Sequence, residues 1–295
     1  MRINHFTLGN RLLYALNNKL SNFFYKKNDL EDSFYRKFYS DGYCNLTLNE
    51  FSTLDLIRSE IKKQKIHKSE KIYNYIITND LKNLLEKLFL EQKTFIEKLK
   101  KYFSCPVVIS NVEIKRTMHF DKNLNENINK NIYSENFHID KYLNTHVKQF
   151  IYLSDVDSNC GPFTFMNKFK TKKFIKEFNF KDRFSLNVSD QKNYKYDKFE
   201  KQFLGKFGSS MLINTTECIH RAGIPAKGKY RDIITITYVA IPSNKYNNEL
   251  YFLKDLNTDF FELNNKISMK FAKPSTKKEL ILHILRYLKY TITKK

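Results

Sequence analysis

Arg231-Asp232-Ile233-Ile234-Thr235-Ile236-Thr237-Tyr238-Val239-Ala240-Ile241 is the run that decides the fold. β-Branched and aromatic side chains dominate it, the composition of a pleated, half-buried strand. Shorter runs of the same character lie ahead of it at Val107 to Ile114, Val147 to Leu153, Phe163 to Met166 and Ser210 to Asn214. Five of the seven glycines (Gly161, Gly205, Gly208, Gly223 and Gly228) fall in this half, where they mark turns between strands. Toward the N-terminus the apolar period changes from two to 3.6. Leu12, Leu13, Leu16, Leu20 and Phe23 trace one helix. Thr47 and Glu50 form a capping-box pair ahead of a second, on Phe51, Leu54, Ile57 and Ile61. From Asp80, Leu81 to Leu99 draw a single stripe over about six turns. Helices first and strands second, without βα alternation, predict an α+β protein whose sheet half is a sandwich or barrel.

The chain has 295 residues and a hydrophobic content of 41%, enough to bury a sizeable core. Its formal net charge is +21, from 52 Lys plus Arg against 31 Asp plus Glu. Lysines outnumber arginines 43 to 9, and 31 asparagines accompany them. A dispersed Lys and Asn excess reads as compositional background, since dedicated nucleic-acid sites favour clustered Arg. The local exception is Lys168 to Lys206, with twelve basic against five acidic residues. Cys44, Cys105, Cys160 and Cys218 form no CxxC pair, a pattern of reduced thiols. No apolar run reaches the roughly 18 residues of a membrane span, and the first twenty residues lack a signal peptide's apolar core. A cytoplasmic protein is expected.

Chemistry enters at Asn136-Phe137-His138-Ile139-Asp140. On extended backbone His138 and Asp140 share one face and can offer an imidazole nitrogen and a carboxylate oxygen to one ion. Eighty-two residues later comes Cys218-Ile219-His220-Arg221-Ala222-Gly223, and eleven beyond that Arg231. Two His and one carboxylate make a facial triad that leaves coordination positions open and suits non-haem Fe(II). An Arg on the neighbouring strand suits the far carboxylate of a dicarboxylate cosubstrate. Thr235 and Thr237 share the strand face of Arg231.

In this order the landmarks resemble the phytanoyl-CoA dioxygenase family of Fe(II)- and 2-oxoglutarate-dependent oxygenases. Asp41-Gly42-Tyr43 with Leu46 is similar to its N-terminal opening, His138-Ile139-Asp140 to its HxD motif, and Asn159-Cys160-Gly161-Pro162-Phe163 to its Asn-Gly-Pro turn. Gly208 to Ile213 resembles the strand before the distal His. His220-Arg221-Ala222-Gly223 with Arg231 resembles the distal His and the 2-oxoglutarate Arg. The chain departs from the family at Met166-Asn167-Lys168-Phe169, where Pro-Gly-Ser-His is usual, and at Ala222, where a small hydroxyl residue is usual.

The resemblance implies a double-stranded β-helix (jelly-roll, cupin-like) core with the helical N-terminal half packed on it. Residues 1–34 would form a helical extension and 35–243 the oxygenase domain, with helices over about 47–103, the core over about 105–243 and a basic insertion at 168–206. Residues 244–295 would be a C-terminal extension. By its own apolar pattern, Leu280, Ile281, Ile284, Leu285 and Leu288 after a Thr276 and Glu279 cap, that extension reads as an amphipathic helix packed on the sheet or on a second subunit in a homo-oligomer, with membrane-surface binding as the alternative. His138, Asp140 and His220 would hold Fe(II), Arg231 would bind 2-oxoglutarate, and O2 would be consumed. Retention of Asp140, which halogenating relatives lose, implies hydroxylation of a small-molecule substrate, anionic if the basic insertion is a lid. Two other classes stay open: a non-catalytic jelly-roll binding protein and a basic nucleic-acid-binding protein. His5, His67, His119, His146 and His283 lack a partner at ligand spacing and read as surface or packed histidines. Arg116 and Lys148 are possible pocket cations.

Overall fold

A computed structural model describes residues 33–48, 51–66, 72–103, 106–119, 136–140, 146–180 and 198–240, with scattered positions between 278 and 289. The expected helix over residues 12–23 and nearly all of the C-terminal extension lie outside the described residues, as do His5, His67, Cys105 and His283; so does all but Asn136 of the polar, Asn-rich run 121–136, which its composition suggests is a long loop.

The elements run α1 (Ser33–Asp41), β1 (Tyr43–Leu46), α2 (Ser52–Lys62), β2 (Ile72–Asn74), α3 (Asn79–Glu91), α4 (Lys93–Phe103), β3 (Val107–Met118), β4 (His146–Tyr152), β5 (Phe163–Phe165), α5 (Lys168–Glu177), β6 (Lys201–Phe203), β7 (Ser210–Ile213), β8 (His220–Arg221) and β9 (Tyr230–Ala240). The strands form a six-stranded sheet in the order β1-β7-β4-β9-β3-β2 and a three-stranded sheet β6-β5-β8. Every pairing is antiparallel. β9 is central: it pairs β3 from Val107↔Ala240 to Met118↔Tyr230 and β4 from His146↔Val239 to Tyr152↔Ile233. This is the mixed helix and antiparallel-sheet architecture expected from the order of periods. No described helix is long and apolar enough to cross a membrane.

Period two along the strands divides the interior. Ile234, Ile236 and Tyr238 of β9 join Ile114, Ile151 and Leu212 against the apolar stripes of α2, α3 and α4. Each buried aliphatic side chain there contributes about 1.5–3 kcal/mol relative to exposure. On the other face Phe150, Tyr152, Met211, Ile213 and Ile233 meet Phe163, Phe165 and Phe203 of the smaller sheet. A third cluster joins Phe137, Met166, Phe174, Phe180, Phe199 and Ile219 beneath α5.

Two helix boundaries differ from the sequence reading. The Thr47–Glu50 capping box does not start α2, which begins at Ser52 after Phe51 with no side-chain cap. Phe51 is held instead by its ring, which lies where a Cβ on Gly208 would come within 2.0 Å of it. That glycine has φ +81°, so ring packing and backbone conformation both exclude a side chain. The long stripe from Asp80 is two helices, α3 capped by the Thr78 hydroxyl and α4, broken at Gln92. Gln92 turns into the core, where its Oε1 accepts from Gln149 Nε2 at 2.7 Å. The Gln149 amide also donates to Ser210 Oγ at 3.0 Å and accepts from the Tyr238 hydroxyl at 2.8 Å, which satisfies a buried polar group.

The lysine-rich stretch is not a featureless insertion. Its first ten residues form α5, capped by Asn167, whose side chain accepts from Lys170 N at 2.8 Å. Cys44, Cys160 and Cys218 are buried free thiols.

Candidate metal centre

His138 and His220 meet in an isolated antiparallel bridge, each backbone N–H donating to the other's carbonyl at 3.0 Å. β8 anchors His220 to β5 through Phe165↔His220. The two rings lie 4.2 Å apart between centroids. His138 Nδ1 is 2.9 Å from Asn136 O and His220 Nδ1 is 3.0 Å from Cys218 O. A carbonyl can only accept, so each Nδ1 carries a proton and each Nε2 faces the cluster, the orientation that a metal-ligating imidazole needs.

Asp140 completes the cluster. Its Oδ1 is 3.8 Å from both His138 Nε2 and His220 Nε2, and the three ligand atoms lie within 4.8 Å of one another. Its backbone N–H donates to Thr215 O at 3.0 Å, and its Oδ2 accepts from Lys148 Nζ at 2.7 Å. Burial alone would raise the Asp140 pKa, but the Lys148 ammonium, which also donates to its Oδ2, holds it well below the carboxylate range. Burial, with His138 and Lys148 adding to it, lowers His220 to about 3, so its imidazole is neutral. The donor set of two imidazoles and one carboxylate suits a divalent transition metal.

Arg231 enters the same inter-sheet space from the far end of β9. It is 5% exposed, and its Nη2 donates to Thr117 Oγ1 at 3.3 Å. Its Nε and Nη1 have no hydrogen-bond partner among the described residues. Burial lowers its pKa, with Tyr152 and Cys160 opposing, yet a guanidinium remains charged. A buried cation with unused donors at Nε and Nη1 fits an anionic partner such as a carboxylate. Thr235 and Thr237 are buried on β9 at alternate positions from Arg231. Phe163 stacks near His220 with ring centroids 5.5 Å apart, and Phe150 lies 4.5 Å from Phe163.

Backbone packing fixes the distal histidine's exit. Gly161, with φ +63°, and Gly223 approach so closely that a Cβ on Gly223 would lie 2.6 Å from Pro162 O, and one on Gly161 2.5 Å from Ile224 C. Below the histidines α5 acts as a brace. Thr171 Oγ1 accepts from Ile219 N at 3.0 Å and donates to Met166 O at 3.2 Å. Phe174 of α5 packs with Phe137 and Ile219, which directly precede the two histidines.

The structure thus brings together His138, Asp140 and His220, with Arg231 on the adjoining sheet face. Of the two possible pocket cations it places only Lys148 at the cluster. Arg116 lies on the helix-facing side, where its Nε donates to Asp232 Oδ1 at 2.7 Å. His119 Nδ1 is 2.9 Å from Pro225 O. His146 is buried on β4, and burial, with Lys148 adding to it, lowers its pKa to about 3. The supporting groups that sequence reasoning missed are backbone carbonyls of Asn136, Thr215 and Cys218, which carry no side-chain signature. The α5 brace did leave one: Asn167 ahead of a helical run is an N-cap signal.

No protein-family model and no curated protein matches the chain. Among solved structures it is similar to HygX from Streptomyces hygroscopicus with nickel and 2-oxoglutarate bound, at 11% identity and TM-score 0.49, over 75% of this chain and 95% of that one. It is also similar to the epimerase SnoN in complex with Fe3+, alpha ketoglutarate and nogalamycin RO, at 11% identity and TM-score 0.47, over 70% and 82%. AviO1 from Streptomyces viridochromogenes Tue57 follows at 13% identity and TM-score 0.44, over 74% and 100%.

Proposed function

We propose that the chain is an Fe(II)- and 2-oxoglutarate-dependent oxygenase of the phytanoyl-CoA dioxygenase type that hydroxylates a small molecule in the cytoplasm. The observation that carries this is the His138, Asp140 and His220 cluster on the same inter-sheet face as a buried Arg231 with unused donors. The two facing antiparallel sheets support a double-stranded β-helix core.

When bound, iron and 2-oxoglutarate supply oxidative decarboxylation to succinate and CO2 coupled to oxidation of a C–H bond. The chain's share is positioning and exclusion of water. His138 and His220 offer Nε2 lone pairs, held by the carbonyls of Asn136 and Cys218. Asp140 offers Oδ1 while Lys148 holds Oδ2. Arg231 grips the distal carboxylate of 2-oxoglutarate, and the aromatic wall of Phe150 and Phe163 keeps the space between the sheets dry.

Anaerobic addition of Fe(II) and then 2-oxoglutarate should give the weak visible charge-transfer band of the chelate. Oxygen should then release succinate and CO2. A band without succinate would favour a non-catalytic ligand-binding protein, and the absence of both would remove the assignment.

A further inference from the structure

The oxygenase reading leaves one charge without a task, and the inference from it rests on that reading. Lys148 pairs with Thr237 across β4 and β9, six residues from Arg231 on the same sheet face. At roughly 3.3 Å per residue the two backbones stand about 20 Å apart along the strand. The cations therefore occupy opposite ends of the inter-sheet space, with the metal cluster at the lysine end. Arg231 is 5% exposed, whereas the Lys148 side chain is 24% exposed.

Charge counting then gives Lys148 a role. Asp140 and one carboxylate of 2-oxoglutarate balance a divalent metal, and Arg231 balances the other carboxylate. Glu113 and Lys115, on the adjoining β3, neutralise each other at 2.8 Å. With Asp140 already counted against the metal, the Lys148 ammonium leaves the site one positive charge in excess, on a side chain 24% exposed. An ammonium has three N–H donors, and among the described residues Lys148 uses one, to Asp140 Oδ2 at 2.7 Å. It lies next to a ligand carboxylate and is partly exposed, so its remaining donors are free to meet a group from outside.

We propose that Lys148 is the specificity-determining cation of this site and pairs with an anionic group, carboxylate or phosphate, of a small primary substrate close to the C–H bond that is oxidised. The substrate class is thus a small organic anion.

The test uses the whole chain loaded anaerobically with Fe(II) and 2-oxoglutarate at constant ionic strength, with the visible chelate band as readout. Acetate, its neutral isostere acetamide and inorganic phosphate are titrated in turn. Saturable perturbation by acetate or phosphate at least tenfold tighter than by acetamide is expected, and whichever anion binds tighter identifies the group. Lys148→Met should weaken that anion at least tenfold, equivalent to about 1.4 kcal/mol, and Lys148→Arg should restore it to within about threefold. Equal affinities for acetate, phosphate and acetamide, or unchanged anion binding in Lys148→Met, would overturn the proposal. So would a folded Lys148→Met protein that no longer takes up iron, since Lys148 would then act only by holding Asp140. Absence of the band in the unaltered protein sinks the oxygenase reading itself. A normal band indifferent to anions sinks this inference alone.

Discussion

The two faces of the six-stranded sheet are built from alternate residues of the same strands, yet they obey different rules. Toward the helices β9 sends Ile234, Ile236 and Tyr238 into an almost wholly aliphatic and aromatic core, where the Gln149 amide is matched and Gln92 Nε2 is a neutral donor left over. Toward the smaller sheet it sends Arg231, Thr235 and Thr237, and here buried donors are left over. One face is optimised for folding. The other holds a charged group whose donors the described residues leave without a partner, the arrangement that the proposed ligand would complete.

That contrast can be broken most sharply at the metal cluster. His138→Ala and His220→Ala should abolish iron uptake and 2-oxoglutarate turnover while thermal unfolding of the metal-free protein moves by no more than a few degrees. Retained turnover in either variant would falsify the triad assignment.

Ile236→Ala tests the opposite face. Truncating a buried Ile in a packed core costs about 2–5 kcal/mol, which denaturant unfolding should register, whereas the iron affinity of the folded fraction should stay unchanged. A comparable loss of iron affinity would mean that the two faces are not separable.

Arg231→Leu sharpens the contrast, because function and stability should move in opposite directions. The 2-oxoglutarate KM is expected to rise about 10- to 100-fold, the loss of one charge-assisted pair. Stability of the metal-free protein should hold or rise, since a buried cation with unused donors is replaced by an apolar side chain. A large drop in stability would show that Arg231 is structural.

The smallest effect is on acid sensitivity. His146 and His220 are neutral in the folded protein down to about pH 3, whereas unfolded histidine takes up a proton near 6.5. The unfolded state binds more protons through that window, so stability is full above about pH 6.5 and is lost as pH falls toward 3. At pH 6 each histidine should contribute a loss of about 1 kcal/mol. His146→Phe should remove one such share from the pH dependence of metal-free unfolding; an unaltered slope would contradict the assignment.

The aliphatic face was the more legible of the two in sequence. Leu81, Leu85, Leu88, Ile96 and Leu99 keep their period, and every strand candidate in the second half became a strand. What misled was polar. Gln92 sits inside an otherwise continuous stripe, yet the helix breaks there and its side chain meets Gln149, fifty-seven residues away. Thr47 and Glu50 have capping chemistry, yet packing of Phe51 over Gly208 sets the start of α2. On the site face His138, Asp140, His220 and Arg231 could be picked out by type and order. The pairing of Lys148 with Asp140 could not, because it depends on how β4 lies beside the HxD segment.

The backbone bridge between His138 and His220 also bears on how a metal would be taken up. Eighty-two residues separate the two ligands, and closing such a loop in a free chain costs about 4 kcal/mol of entropy. The two mutual N–H···O bonds mean that folding has already met this cost before an ion arrives. Uptake should therefore be a single rapid phase without a slow ordering step. Once seated, the ion would span the same eighty-two residues as a reversible cross-link, slowing unfolding more than its local contacts alone would suggest.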